Sequence, residues 1–538
     1  MKKYTNLIVI GIILLAAAGF FIYKNVNFDD LLMATAGVYD QKISIVNTAD
    51  VHGHILYDDE VGGYYSLEDV SLIMGLPLAK SFTDETKRLN KNTLVLDCGD
   101  MFHGTNEANV DQGKGVVEVV NLFGYNAMVP GNHDFNFGFQ RLLEIQSQLS
   151  FPIISANIYQ NGKLVFDEYQ IYNMDGVKIG VFGLTTPTAL MYNTALEGNN
   201  GVTIEDPVQA AARVVAKLRP QVDAIVLISH LGDDVDTKVA QKMMTISFAQ
   251  LTKQVKGIDL ILAGHYHHLY RSAIKIKGTN TYLAEAGAWT THVGIADLYF
   301  KNHKVAKMNW RVETTGDKSR MDKTMDAIAQ KYYRVAFEQG KKVIGTATVK
   351  LNGIRSLLRS QETNLGDMVA DAMKEAGKAD LTLMNGGGIR ESIPQGEVSL
   401  YKIGKVLPFS NSLVTIELKG DTIYKAVERG LRVYPSDANG PFLQVSGIQY
   451  VFDASKNAGE RLLSITMDGK PLDRNTYYKV ATNDYMYNGG DDYKELKDAK
   501  VLSRGGLLKD VLAEYIKSKG EVAPAEEGRI KVINQRYK

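Results

Sequence analysis

Short aliphatic runs that break off in polar residues recur along the first half of the chain. Ile43 to Val46 gives way to Asp50 and His52, and Thr93 to Leu96 to Gly99 and Asp100. Ala127 to Val129 gives way to Gly131, Asn132, His133 and Asp134; Ala224 to Ile228 leads to His230, and Leu260 to Leu262 to Gly264, His265 and His267. Runs of this length and composition predict buried strands. Between them lie helical patterns. The clearest opens at Asp206 and Pro207, a capping residue followed by proline at the first helical position. Val208, Ala211, Val215 and Leu218 then repeat at helical spacing, and Arg219-Pro220 closes the segment. This alternation predicts an α/β fold whose strand ends share one binding edge.

After Val312 the pattern turns polar and helical, with Met321, Met325, Ile328 and Tyr332 on one face and Gly340 at the end. Residues 317–342 are therefore expected to form a connecting helix between a first domain, 37–316, and a second, 343–538. Residues 1–36 stand apart. Leu7 to Tyr23 is unbroken apolar sequence behind Lys2 and Lys3, enough for a helix of about 25 Å. The expectation is an uncleaved single-pass anchor with everything after Lys24 outside the cytoplasm; the alternative is secretion after cleavage near Ala34-Thr35-Ala36.

Lys+Arg and Asp+Glu both total 61, so overall charge does not point to nucleic acid as a partner. The single cysteine, Cys98, excludes an intrachain disulfide and a multi-cysteine metal site. The histidines change the picture most. All 10 fall between His52 and His303, none in the second domain. Singly, a His, Asp or Asn after a strand has an ordinary structural explanation. Together, Asp50, His52, Asp100, Asn132, His230, His265 and His267 offer too many nitrogen and oxygen donors for one tetrahedral ion. Two adjacent divalent ions of the Zn, Mn or Fe type are expected.

These boxes resemble those of the dinuclear metallophosphatases and, within them, the bacterial membrane-anchored members of the 5′-nucleotidase family. Asp50-Val51-His52, Gly99-Asp100, Gly131-Asn132-His133-Asp134, Ser229-His230 and Gly264-His265-Tyr266-His267 carry the resemblance. It implies a calcineurin-like metallophosphatase domain, a β-sandwich flanked by helices, joined by a helix to a smaller α+β substrate-binding domain. It implies that Asp50, His52, Asp100 and His267 hold one ion, and Asp100, Asn132, His230 and His265 the other, with Asp100 bridging. His133 would face the phosphate. Two such ions lower the pKa of a shared water and neutralise phosphate oxygens during in-line attack. Asn136 stands where the family commonly has Asp to orient the catalytic imidazole, and Gly-Asn-His-Asp-Phe-Asn resembles the branch that hydrolyses 2′,3′-cyclic nucleotides and 3′-nucleotides.

The second domain extends the resemblance to about Ile533. Asn385 to Arg390 forms a glycine turn after the strand Leu381 to Met384. Leu407 to Asn411 and Thr482 to Asp491 match two further family motifs. By position, Arg355, Arg359 and Arg390 would contact the phosphate and ribose region of a nucleotide, with Asn385 and Gly388 assisting. Phe409 and Tyr485 would clamp the base, Asn411 would bind its edge and Asp491 the ribose hydroxyls. The two halves would close on each other about 317–340. The function implied is a metal-dependent 5′-nucleotidase. The alternatives are a 2′,3′-cyclic-nucleotide phosphodiesterase/3′-nucleotidase, a UDP-sugar hydrolase, and an inactive surface nucleotide-binding protein.

Overall fold

The computed structural model describes residues 35–58, 72–190, 201–232, 247–409, 411–435, 439–497 and 499–534. The apolar run Leu7 to Tyr23 lies outside them. Among the described residues no helix is long and apolar enough to cross a membrane.

The expected strand runs form strands. In the first domain these are β1 (Gln41–Thr48), β2 (Thr93–Asp97), β3 (Ala127–Met128), β4 (Tyr169–Met174), β5 (Val177–Thr185), β6 (Ala224–His230), β7 (Leu260–Ala263), β8 (Ile274–Lys275), β9 (Tyr282–Ala284), β10 (Val293–Lys301) and β11 (Lys304–Glu313). They make two sheets, a five-stranded one in the order β11-β10-β1-β2-β3 and a six-stranded one in the order β8-β9-β7-β6-β5-β4. Within them β1, β2 and β3 are mutually parallel, as are β5, β6 and β7. Ile43, Ile45, Leu94 and Leu96 of one sheet pack against Ile179, Val181, Val226, Ile228 and Leu262 of the other in one buried core. Strands buried on both faces read as continuous apolar runs, which is why these segments lack polar alternation. The strand ends converge from two sheets rather than one, and the site lies along their shared edge.

Helices α1 (Gly75–Leu89), α2 (Lys114–Phe123) and α3 (Pro207–Leu218) cover the outer faces. The Asp206 carboxylate accepts from the N–H groups of Val208 and Gln209, and Ala211, Val215 and Leu218 are buried as the spacing predicts. Helix α4 (Lys323–Gly340) starts at the Asp322 cap and packs Tyr332 on α2, where its hydroxyl donates to Glu118 at 2.7 Å.

The second domain is built on a sheet of β12 (Leu381–Asn385), β13 (Ser412–Lys419), β14 (Leu443–Ser446), β15 (Tyr477–Asn483) and β16 (Lys500–Leu507), ordered β14-β12-β15-β13-β16. Helix α5 (Asn364–Gly377) packs against it. The two domains touch. Asn109 Nδ2 donates to the carbonyl of Pro408 at 3.1 Å, and Asn106 Nδ2 to that of Tyr401 at 2.7 Å. These bonds fix the loop that carries Phe409 over the sheet edge of the first domain.

Candidate functional site

The expected donors gather in two groups, Asp50 with His52 and His267, and Asp100 with His230 and His265, all buried except the half-buried His265. Within each, the donor atoms lie within 4.8 Å of one another. Asp100 reaches both groups, with Oδ2 at 3.1 Å from His230 Nε2 and 3.6 Å from His52 Nε2. Asn132 Oδ1 joins the second group at 3.2 Å from His230 Nε2. This is the division that the family resemblance implies.

Hydrogen bonding at the far side of each ring shows what the near side is for. His230 Nδ1 donates to the carbonyl of Cys98 at 2.7 Å, and His52 Nδ1 to that of His103 at 3.1 Å. Each Nε2 thereby faces the other donors: that of His230 the oxygens of Asp100 and Asn132, that of His52 the Nε2 of His267 at 3.2 Å. Burial works to lower His230, but the Asp100 carboxylate outweighs it and holds the ring up at about 10, so a proton stands there that a divalent ion would displace. Burial also drives His52 and His267 well below the ordinary imidazole range, which keeps them neutral, the form that binds metal. Burial pushes Asp50 up to about 7, with Asp100 adding to the shift and His230 opposing it. The donor set therefore fits two divalent ions.

The backbone carries a second sign. Asp50, His52, Asp100, His265 and His267 all hold positive φ, between 47° and 96°. Side chains other than glycine meet a steric penalty there, on the order of 1 kcal/mol or more each, and such strain concentrates at functional sites. Glycine is needed where the loops cross. A Cβ on Gly131 would lie 2.2 Å from Asp100 Oδ1. Asp134, for which the sequence suggested no role, staples these loops together. Its carboxylate accepts from the N–H groups of Asp100, Met101, Phe102 and Gly131. Trp289 was also missed. Its ring stands edge-on to His267 at 5.0 Å, and its backbone N–H donates to the carbonyl of Asp50 at 2.8 Å. The only hint was its rarity, since the chain has two tryptophans.

His133 lies beside the donors, its backbone N–H donating to Asp100 Oδ1 at 2.6 Å. Asn136 Nδ2 is 3.2 Å from His133 Nδ1. Burial pushes His133 down to about 4, Arg390 adding to the shift and Asp100 opposing it. The imidazole is then neutral near pH 7, and its Nε2–H is a donor without net charge. Of the other histidines, His54 is held by the carbonyl of Val51 behind the site, whereas His303 is largely exposed and pairs with Asp223.

The second domain brings positive charge to this edge. Arg355, Arg359 and Arg390 all act on His267 strongly enough to help depress it. Arg355 Nη2 donates to the carbonyl of Tyr266 at 3.4 Å, and its guanidinium lies 5.7 Å from the Trp289 ring. Arg390 Nε donates to the carbonyl of Gly387 at 2.8 Å, and its guanidinium stacks 4.7 Å from the Phe409 ring. Phe409 in turn stacks on His133 at 5.2 Å. Tyr485 is tied elsewhere: its hydroxyl donates to Asp491 Oδ1 at 3.0 Å, while Asn385 Nδ2 donates to Asp491 Oδ2 at 2.8 Å. Gly388 is buried in the turn beside Asn385, where a Cβ would lie 2.5 Å from Met384 Cε. The carbonyl of Asn411 accepts from Leu508 N–H at 2.9 Å.

Comparison with known proteins agrees with both halves. Residues 43–269 match the calcineurin-like phosphoesterase family, and residues 343–498 match the 5′-nucleotidase C-terminal domain. The 5′-nucleotidase of Diplobatis ommata is 28% identical over 91% of this chain and 89% of its own length. The trifunctional nucleotide phosphoesterase YfkN of Bacillus subtilis is 28% identical over 96% of the chain, which spans 37% of that longer protein. The crystal structure of a 5′-nucleotidase precursor from Thermus thermophilus superposes with a TM-score of 0.79 at 29% identity, covering 92% of this chain and 100% of that one. The cofactors are two divalent metal ions, and the protein is a phosphoric ester hydrolase. With a metallophosphatase domain and a 5′-nucleotidase C-terminal domain on one chain, the protein belongs to the 5′-nucleotidase family.

Proposed function

We propose that the protein hydrolyses nucleoside 5′-monophosphates to nucleoside and phosphate. The observation that carries this reading is the approach of Arg355 and Arg390, both from the second domain, to the donor edge of the first: Arg355 Nη2 donates to the carbonyl of Tyr266 between two donor histidines, and Arg390 lies on Phe409, which stacks on His133. Cations gathered against lone-pair donors suit a dianionic phosphate lying between them. Arginine's planar fork also binds such a group bidentately, as lysine cannot. Asp50, His52, Asp100 and His267 would hold one ion, and Asp100, Asn132, His230 and His265 the other. When bound, the pair supplies Lewis acidity and an ionisable water.

The chain's own residues do the rest. Arg390 and Arg355 orient the phosphate and offset its charge. The bond from phosphorus to the ribose 5′-oxygen breaks as water attacks from the opposite side. His133 Nε2–H hydrogen-bonds to an oxygen whose charge grows in that step. Phe409 and Tyr485 serve the base, Asp491 with Asn385 the ribose, and Asn411 with Gly388 completes the nucleoside site. The apolar run behind Lys2 and Lys3 supports an extracytoplasmic location, anchored by that segment or secreted after its removal.

Asn136 favours a second reading, hydrolysis of 2′,3′-cyclic nucleotides and 3′-nucleotides, because it replaces the carboxylate expected beside His133. Phosphate release by the Mn-loaded protein from 5′-AMP, and from 2′,3′-cyclic AMP with an added phosphomonoesterase, decides between them. Faster release from 5′-AMP supports the main reading. Preference for the cyclic substrate replaces it with the second, and failure on both refutes the two together.

A further inference from the structure

One more buried imidazole stands at the site without being a metal donor. His103 follows Asp100 in the loop after β2 and is 2% exposed. Its ring lies against Phe137 at 5.1 Å and Phe409 at 5.7 Å, and is stacked on His133 at 6.2 Å. Its Nδ1 is 3.1 Å from Asn136 Nδ2, the same amide nitrogen that is 3.2 Å from His133 Nδ1. One amide thus joins two imidazoles. Its NH2 has two protons and meets two ring nitrogens, so each Nδ1 accepts and each ring carries its proton on Nε2. With a carboxylate at position 136, Nδ1 would have to donate, which is the opposite tautomer. Asn136 therefore selects the neutral Nε2–H form of His133, and His103 Nδ1, by taking the other proton of the same NH2, sets the plane in which the amide meets that ring. His103 also accepts from His52 Nδ1 through its backbone carbonyl, so the loop that bears it is fixed to the donor cluster.

We propose that His103 is a positioning residue for phosphoryl transfer, holding the Asn136 amide against His133 so that Nε2–H faces the phosphate. The proposal rests on the reading of the site as a phosphoester hydrolase and not on which nucleotide it prefers. His103→Phe keeps a ring between Phe137 and Phe409 but loses Nδ1, whereas His103→Gln restores an acceptor oxygen. With 4-nitrophenyl phosphate and 5′-AMP as substrates, His103→Phe is expected to lower kcat roughly 10- to 100-fold, the scale of losing an outer orienting group, at unchanged metal content and KM. His103→Gln is expected to recover most of the loss. In an Asn136→Ala background, His103→Phe should add little. Imidazole 15N shifts of the Zn-loaded protein should show His133 as one Nε2–H tautomer, and as a mixture in His103→Phe.

Wild-type kcat in His103→Phe, or a loss that adds in full to that of Asn136→Ala, overturns the proposal; so does a His133 tautomer that the substitution leaves unchanged. Turnover of 4-nitrophenyl phosphate without turnover of 5′-AMP would refute the substrate reading alone. The 15N measurement needs no substrate, so it decides the role of His103 even then.

Discussion

The two halves of the site are finished to different degrees. On the metal side, the donor atoms of His52, His267, His230, Asp100 and Asn132 crowd within 3.1–3.2 Å of one another, and His230 is held protonated against Asp100 where a cation would sit. Their backbones are held in left-handed conformations at Asp50, His52, Asp100, His265 and His267. On the nucleoside side the polar groups satisfy one another. Asn483 donates to Asn385, and Asn385 and Tyr485 both donate to Asp491. The first arrangement is complete only with cations, whereas the second is a preformed cup whose bonds a ligand must compete with or extend. Both places carry left-handed backbone, five residues among the donors and Asp491 in the cup, so the difference lies in the side chains: those of the cup pair with one another, whereas those of the donor side await cations.

The most severe way to break this contrast is to remove the shared donor. Asp100→Asn puts an NH2 group, or a weaker oxygen, against Nε2 of His230 and of His52. Phosphate release is expected to fall by about 10²–10³-fold or more, with metal content below that of the native protein by elemental analysis. Chelation of the native protein tests the same point without mutation. Ions that bind only the folded donor set stabilise it, so stripping should lower Tm, and Mn or Zn should restore it. Saturation at a hundred times the dissociation constant corresponds to about 2.7 kcal/mol. A stripped protein as stable as the loaded one would mean that the donor side is as relaxed as the cup.

The next test lies where the halves meet. Arg390 is pushed down to about 10 by burial and by Arg355, and still carries its charge at neutral pH. Arg390→Lys keeps a cation but loses the fork and the stacking on Phe409. A hydrogen bond to a charged group contributes about 1.5–3 kcal/mol, so kcat/KM for the nucleotide is expected to fall roughly 10- to 100-fold with metal content intact. Loss of metal as well would show that the second domain helps hold the ions.

The same contrast decides what could be read before the structure. The strand runs, the helix capped at Asp206 and the donor residues were legible because each depends on local pattern: apolar runs, an N-cap before proline, donors directly after strands. The sharing of the strand ends between two sheets was implied only by the family resemblance, since pairing between distant strands leaves no local mark. Asp134 was hidden because its work is done on backbone N–H groups, which every sequence has. His103 was one histidine among 10, and its partner Asn136 suggested only the loss of a carboxylate. The positive φ at five donors is invisible in residue types, since Asp and His do not announce the left-handed region as glycine does. On the nucleoside side, Asn385, Tyr485 and Asp491 were legible as a group, but their bonds to one another were not.

The smallest expected effect tests a buried carboxyl of the second domain. In α5, Asp367 is 1% exposed, and burial pushes its carboxyl up to about 9, with Glu362 and Asp371 adding to the shift and Arg529 opposing it. Glu362 has little to offer it as a donor, since its own oxygens take the N–H groups of Glu527, Gly528 and Ile530. The sign follows from the two states. The unfolded chain releases this proton near 3.8 and the folded chain holds it to about 9. Unfolding therefore releases a proton throughout that window, and rising pH favours the unfolded state. The native protein should lose stability from pH 5 to pH 9, whereas Asp367→Asn, which keeps a donor but cannot ionise, should lose less. Its advantage in Tm should be absent below about pH 4 and grow with pH, by roughly 2–4 °C for each kcal/mol gained. Because Asp367 lies outside the nucleoside cup, turnover should not change. Parallel Tm profiles for the two proteins would show that burial of Asp367 does not hold its proton in the folded state.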